Sequence, residues 1–221
     1  MKSREPGVFA TYHVHTAAEV AAWEPPDYLI DDFIAEESLV TLFGAPGSGK
    51  SFVALDIAAS IAIGQDWASR SVNDGFVVYV LAEGAAAFSK RITAWCNYHD
   101  MMPKRLIKLL FYGEPLDLSQ RGDVDNLIYW VTRFNPKLIV IDTLARSIGM
   151  SDENSAKDMN LVIAGVARMQ ARLGTAVMAL HHTPKGNEKT ERGSGSLRGA
   201  VDTSISVSLV GDVITLTCVK Q

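Results

Sequence analysis

The chain has 221 residues, 48% of them hydrophobic and 21% charged, with a net charge of −4. That is enough for one full core, with none of the composition of a disordered or fibrous chain. The charge excludes a protein that is a polyanion binder over its whole surface, so any nucleic-acid contact must come from a local basic patch or from subunits pooling one.

No apolar run reaches the ~18 residues of a membrane span, and the start, Met1 to Gly7, lacks the apolar stretch of a signal peptide. Cys96 and Cys218 lie far apart without C-x-x-C spacing. They predict reduced core thiols in a cytoplasmic protein with no membrane attachment.

In chain order, a β-like stretch over Val8 to Val14 precedes a short helix from Thr16 to Trp23, which Pro25-Pro26 ends. Tyr28, Leu29, Ile30, Phe33 and Ile34 then form an apolar lead-in, expected to cover an edge of the sheet. Residues 39–51 follow as the central motif. The apolar run Leu39 to Phe43 stops at Gly44, and Ala45, Pro46, Gly47, Ser48, Gly49, Lys50 and Ser51 complete G-x-x-x-x-G-K-[ST], with Phe52 opening an apolar helical pattern. Strand, glycine-rich loop and helix are the context that a phosphate loop requires. Glycines let successive N–H groups turn inward around an anion, and the helix beginning at Lys50 adds its positive end. In that arrangement Lys50 reaches the β- and γ-phosphates and the Ser51 hydroxyl ligates Mg²⁺.

Phe76 to Leu81 is a continuous apolar run of the kind buried on both faces of a parallel sheet, and Glu83 comes directly after it. Open α/β sheets bind ligands at such strand ends. Glu83 can polarise the attacking water there, or act as a first-turn acid of the helix spanning 85–100. Arg91 on that helix reads as part of a solvated face, with contact to a nucleotide as the alternative. Leu106 to Phe111 predicts a third strand and Val124 to Phe134 a helix. Leu138-Ile139-Val140-Ile141 then ends in Asp142, the second nucleotide signature: an acid at a strand end that holds Mg²⁺, usually through water, opposite Ser51. Ser155 to Arg172 predicts a long helix, and Ala176 to Leu180 a fifth strand ending in His181-His182. Successive strand residues face opposite ways, so one of the two histidines points toward a bound γ-phosphate. A metal ligand or a satisfied core histidine is the other reading.

Residues 183–199 contain four glycines and one proline, which predicts an irregular loop. Lys185, Lys189, Arg192 and Arg198 outnumber Glu188 and Glu191 there. The segment is either a solvated loop or a backbone-phosphate contact whose modest charge counts when repeated around a ring. Val201 to Leu209 and Val213 to Val219 read as a terminal antiparallel hairpin about Gly211-Asp212.

Taken together, Gly44–Ser51, Glu83, Asp142, the His181-His182 strand end with Lys185 beyond it, and Arg192-Gly193-Ser194-Gly195 before a hairpin resemble the RecA-like ATPases. Within these the chain is most similar to the hexameric replicative helicases of the plasmid RepA type and their phage relatives, over roughly residues 25–221. The resemblance implies an α/β fold of the RecA-like P-loop NTPase kind: a central, mostly parallel sheet flanked by helices, with a C-terminal antiparallel hairpin. It implies a lead-in over residues 1–36 packing on an ATPase domain at 37–221.

ATP and Mg²⁺ would be its cofactors, Lys50 and Ser51 would meet phosphate and metal, Asp142 the metal, and Glu83 would be the base. His182, three residues before Lys185, would be the phosphate sensor, and the 183–199 loop would face single-stranded DNA in a homo-oligomer, expected to be a hexamer. One departure stands out: the hairpin lacks the arginine that such ATPases lend to a neighbour's site, and Arg198 and Lys220 are the nearest candidates. A nucleotide-dependent switch of the recombination-mediator kind and an ATP-binding scaffold are the alternatives to a motor.

Overall fold

The computed structural model describes residues 14–23, 27–82, 85–183 and 195–221. The expected strand over Val8 to Val14 falls almost wholly outside them, as do Glu83, Lys185, Lys189 and Arg192.

Seven strands form one sheet: β3 (Leu39–Gly44), β4 (Val77–Leu81), β5 (Leu109–Tyr112), β6 (Leu138–Asp142), β7 (Ala176–His182), β8 (Thr203–Val210) and β9 (Val213–Lys220), in the order β5-β4-β6-β7-β3-β8-β9. Every neighbouring pair is parallel except β8 with β9. The anticipated α/β architecture, hairpin included, is therefore present. The long helices, α2 (Lys50–Ile63), α3 (Ala85–Tyr98), α4 (Arg121–Val131) and α5 (Ala156–Leu173), cover both faces. Burial on two faces is why the core strands read as unbroken apolar runs rather than as alternating patterns.

Strand parity sorts the core into two layers. Val77, Tyr79, Leu138, Val140, Met178 and Leu180 pack into one cluster with α2 and α3. Their sequence neighbours Val78, Val80, Ile139, Ile141, Val177 and Ala179 pack into the other, with α4 and α5. The same alternation carries Asp142 and His182, at even positions on β6 and β7, to the α2 side.

Before the sheet, α1 (Ala17–Ala21) carries a capping box between Thr16 and Glu19. A small antiparallel pair, β1 (Tyr28–Ile30) and β2 (Ile34–Ala35), follows. Leu29, Ile30 and Ile34 are fully buried. Their backbone bonds run to the loop after α2, from Asp31 to Ser71 and from Asn73 to Leu29, whereas the sheet's edges are β5 and β9. The lead-in thus pairs with that loop instead of with an edge strand. The third strand starts three residues later than expected, because Pro103 opens a 3-10 turn that Leu106 closes by donating to the Pro103 carbonyl. Residues 195–200, expected to be irregular, form α6 (Gly195–Ala200), seated on α5 and anchored by buried Leu197. Cys96 is buried as expected, but Cys218 is exposed on β9.

Gly165 sits where α5 crosses the segment leading into α4. An added Cβ would lie 2.1 Å from the Leu118 carbonyl oxygen, a backbone atom that cannot swing aside. Gly165→Ala should therefore destabilise the fold by about 1–3 kcal/mol despite alanine's better helix propensity. Urea denaturation measures this, and an unchanged midpoint would mean that α5 slides freely.

Candidate functional site

The phosphate loop leaves β3 at Gly44 and turns at once, with Ser48 N–H donating to the Ala45 carbonyl at 3.1 Å. Gly47 (φ +80°) and Gly49 (φ +93°) take left-handed angles, which explains glycine at both positions. Gly44 is demanded by space: an added Cβ would lie 2.2 Å from the Val207 carbonyl oxygen of β8 and 2.8 Å from Ser48 Oγ. Gly49 is the N-cap of α2, so that helix opens directly beneath the loop.

Lys50 is only 6% exposed. Its Nζ donates to the carbonyls of Gly44 and Ala45, each at 2.9 Å, so the ammonium is held by its own loop. Burial pushes the lysine below its ordinary pKa, and the negative charge of Asp142 pulls part of the way back. Ser48 Oγ is buried with no hydrogen-bond partner. A cation held by carbonyls and an orphaned hydroxyl make a polar cradle that fits a phosphate group.

Asp142, 3% exposed, ends β6 beside β4. The Ala82 N–H donates to its carbonyl at 3.0 Å, and the peptide to Thr143 is cis. Tyr79 stands opposite Val140, two residues before Asp142 and on the same face, so it is the diagonal neighbour of the aspartate. The Tyr79 hydroxyl donates to Asp142 Oδ2 at 2.9 Å. Burial first, and then the adjacent carboxylate, raise the phenol well above its ordinary pKa.

His181 is 2% exposed, opposite Phe43 of β3, while His182 is opposite Gly44 and half-buried. A cavity of about 590 Å³ lies over the loop, bordered by Lys50, Ser51, Phe52, Asp142 and His182 among others. Its size is that of a small-molecule site. The structure thus brings Lys50, Ser51, Phe52, Asp142 and His182 together and leaves His181 on the far face of the strand.

The cavity also has walls that the sequence pattern did not reveal. Arg91 borders it rather than lying on a solvated helix face: its guanidinium sits 5.6 Å from the ring centres of both Phe52 and Phe88. Leu209 and Ile214 reach in from the hairpin, and Ile214 Cδ1 lies 2.6 Å from where a Cβ on Gly49 would be. The two candidate arginine substitutes stand elsewhere. Arg198 is exposed on α6. Lys220 Nζ donates to the carbonyls of Arg198 at 3.2 Å, Gly199 at 3.4 Å and Val201, where it caps the end of that helix.

Residues 5–188 match the family described as AAA domain, which takes in the phosphate loop, β4, β6 and the end of β7. The chain belongs to the AAA domain family. Membership makes it a P-loop AAA-type ATPase and implies ATP binding, usually with Mg²⁺. No helix among the described residues is long and apolar enough to cross a membrane.

The depressed pKa of Lys50 has a thermodynamic sign. Between the folded pKa and the ordinary lysine value of ~10.4 the unfolded chain holds the extra proton, so stability contributed at this position rises with pH across that window. In nucleotide-free protein, the stability of the native chain relative to Lys50→Met should be flat below the folded-state pKa and climb from there as pH approaches ~10.4. Denaturation of both proteins over a pH series tests this, and a constant difference throughout would show that burial does not perturb the lysine.

Proposed function

We propose that this AAA domain is an ATP-dependent motor of the RecA-like kind, a ring-forming replicative DNA helicase that hydrolyses ATP where subunits meet. The observation that carries the reading is the cavity in which Lys50 and Ser51 from the start of α2, Asp142 from β6 and His182 from β7 converge. Hydrolysis needs these groups around one triphosphate, and parallel strands supply them from adjacent ends.

Each side chain then has a task. Lys50 leaves the Gly44 and Ala45 carbonyls for the β- and γ-phosphates, whose other oxygens accept from the N–H groups of Gly47, Gly49, Lys50 and Ser51. Ser51 and, through water, Asp142 would hold Mg²⁺, which supplies charge neutralisation on the transferred phosphoryl group. Glu83, next to β4, orients the attacking water. Phe52, with Arg91 against its ring, lines the nucleotide's flank and brings a second cation to the cavity. His182 senses the γ-phosphate and passes its loss to the 183–199 segment, where Lys185, Lys189, Arg192 and Arg198 contact the DNA backbone. Six copies gather that charge around one channel, a local positive ring on chains whose net charge is −4.

Purified protein separates the motor from its alternatives. ATP turnover should rise several-fold with single-stranded DNA, and a nucleotide-dependent hexamer should appear by mass measurement. DNA-independent turnover would instead identify a switch of the recombination-mediator kind, and tight ATP binding without turnover would identify a scaffold. Lys50→Ala should abolish turnover, and Glu83→Gln should stop hydrolysis while leaving ATP binding intact. Retained activity in the first variant, or lost binding in the second, would contradict these assignments.

A further inference from the structure

Tyr79 is a hydroxyl-bearing residue in the middle of a core strand, and it is fully buried. Its ring packs against Phe88 of α3, with ring centres 4.7 Å apart, and against Phe111 of β5 at 6.0 Å. A phenylalanine would fill this aromatic niche equally well. Placing a hydroxyl in such surroundings is unfavourable unless it is bonded. Its hydrogen bond goes to Oδ2 of the Asp142 carboxylate, which is itself buried. The packing therefore accounts for the ring, and the carboxylate accounts for the oxygen.

From this geometry we infer that Tyr79 is a positioning residue that presets the Asp142 carboxylate for the divalent cation of the nucleotide complex. A carboxylate is planar, so pinning Oδ2 also fixes the direction of Oδ1. The pin is rigid because the phenol is clamped between α3 and β5 and cannot change rotamer without displacing Phe88 or Phe111. An aspartate that must be oriented on arrival of the metal would lose side-chain freedom at that moment, whereas one already held loses little. This inference rests on the reading above that Asp142 holds the cation.

The experiment measures metal affinity apart from turnover. Mn²⁺ is titrated by electron paramagnetic resonance into the full chain saturated with a non-hydrolysable ATP analogue. Binding of the same analogue in EDTA and metal-free thermal melting serve as controls. Tyr79→Phe should weaken Mn²⁺ binding roughly tenfold, the effect of one hydrogen bond to a charged group, while analogue binding in EDTA stays within about twofold. Asp142→Asn should also weaken Mn²⁺ binding, and adding Tyr79→Phe to it should cause no further loss, because the hydroxyl acts through the carboxylate.

Unchanged Mn²⁺ affinity in Tyr79→Phe, with Asp142→Asn impaired, would overturn the positioning role and leave the metal assignment standing. Additive losses in the double variant, or an equal loss of analogue binding in EDTA, would likewise overturn it. Undiminished Mn²⁺ binding in Asp142→Asn would remove both. Should Tyr79→Phe alone fail to fold, a further loss of Mn²⁺ affinity in the double variant beyond that of Asp142→Asn would by itself overturn the positioning role.

Discussion

A lysine cation inside the fold is the constraint around which the rest is arranged. Removing an ammonium from water is expensive unless it is paired and hydrogen-bonded, and Lys50 has two means of compensation: the carbonyls of Gly44 and Ala45, and the charge of Asp142 nearby. The positive end of α2 works against both, since Lys50 is the first residue of that helix. The loop is left with more positive than negative potential in a region of low dielectric. An incoming polyphosphate supplies the missing charge, and the family's attachment to ATP follows from that imbalance. The geometric demands come from the same source. Carbonyls can reach back to the lysine only if the chain turns tightly, which requires Gly47 and Gly49 with positive φ and leaves no room at Gly44.

The parallel sheet then decides what else can stand near that charge. Strands running the same way put all their carboxyl ends on one edge, and strict two-residue alternation decides which end residues face α2. Asp142 and His182 meet this parity and His181 does not. Much of the site was therefore legible beforehand, because strand run, terminal residue and alternation are all local features of sequence. The apolar run before Asp142 was readable to its boundaries since β6 is buried on both sides. What escaped notice depended on register between strands far apart in the chain. Tyr79 looks like one more member of an apolar run until β4 is aligned with β6, at which point it becomes the neighbour of an aspartate 63 positions later.

Other surprises share this long-range character. Arg91 reads as an ordinary exposed charge on α3, and only the approach of α2 with Phe52 turns it into a cavity wall. Lys220 reads as a terminal cation, and only the position of α6 shows its task of capping three carbonyls. The helix itself was hidden by its glycines and serine: an isolated Gly-Ser-Leu-Arg-Gly-Ala stretch has poor intrinsic propensity. It forms because Leu197 has a core to enter. The late start of β5 is the opposite case, a purely local effect of Pro103 that apolar content alone conceals.

The hairpin has a further consequence. Strand β9 closes one edge of the sheet, and along its eight residues every position except Leu216 is exposed. It carries Val213, Ile214 and Val219, with Leu209 and Val210 exposed on the adjoining strand. An outer strand with apolar side chains and main-chain groups facing outward is a template for another strand, and proteins ordinarily blunt such edges with charges, proline or a covering element. Here Asp212 and Lys220 flank the strand, but no charge or proline interrupts it from Val213 to Val219. Among the described residues β9 thus offers an open strand edge to another strand, and a single lysine placed mid-strand would blunt it.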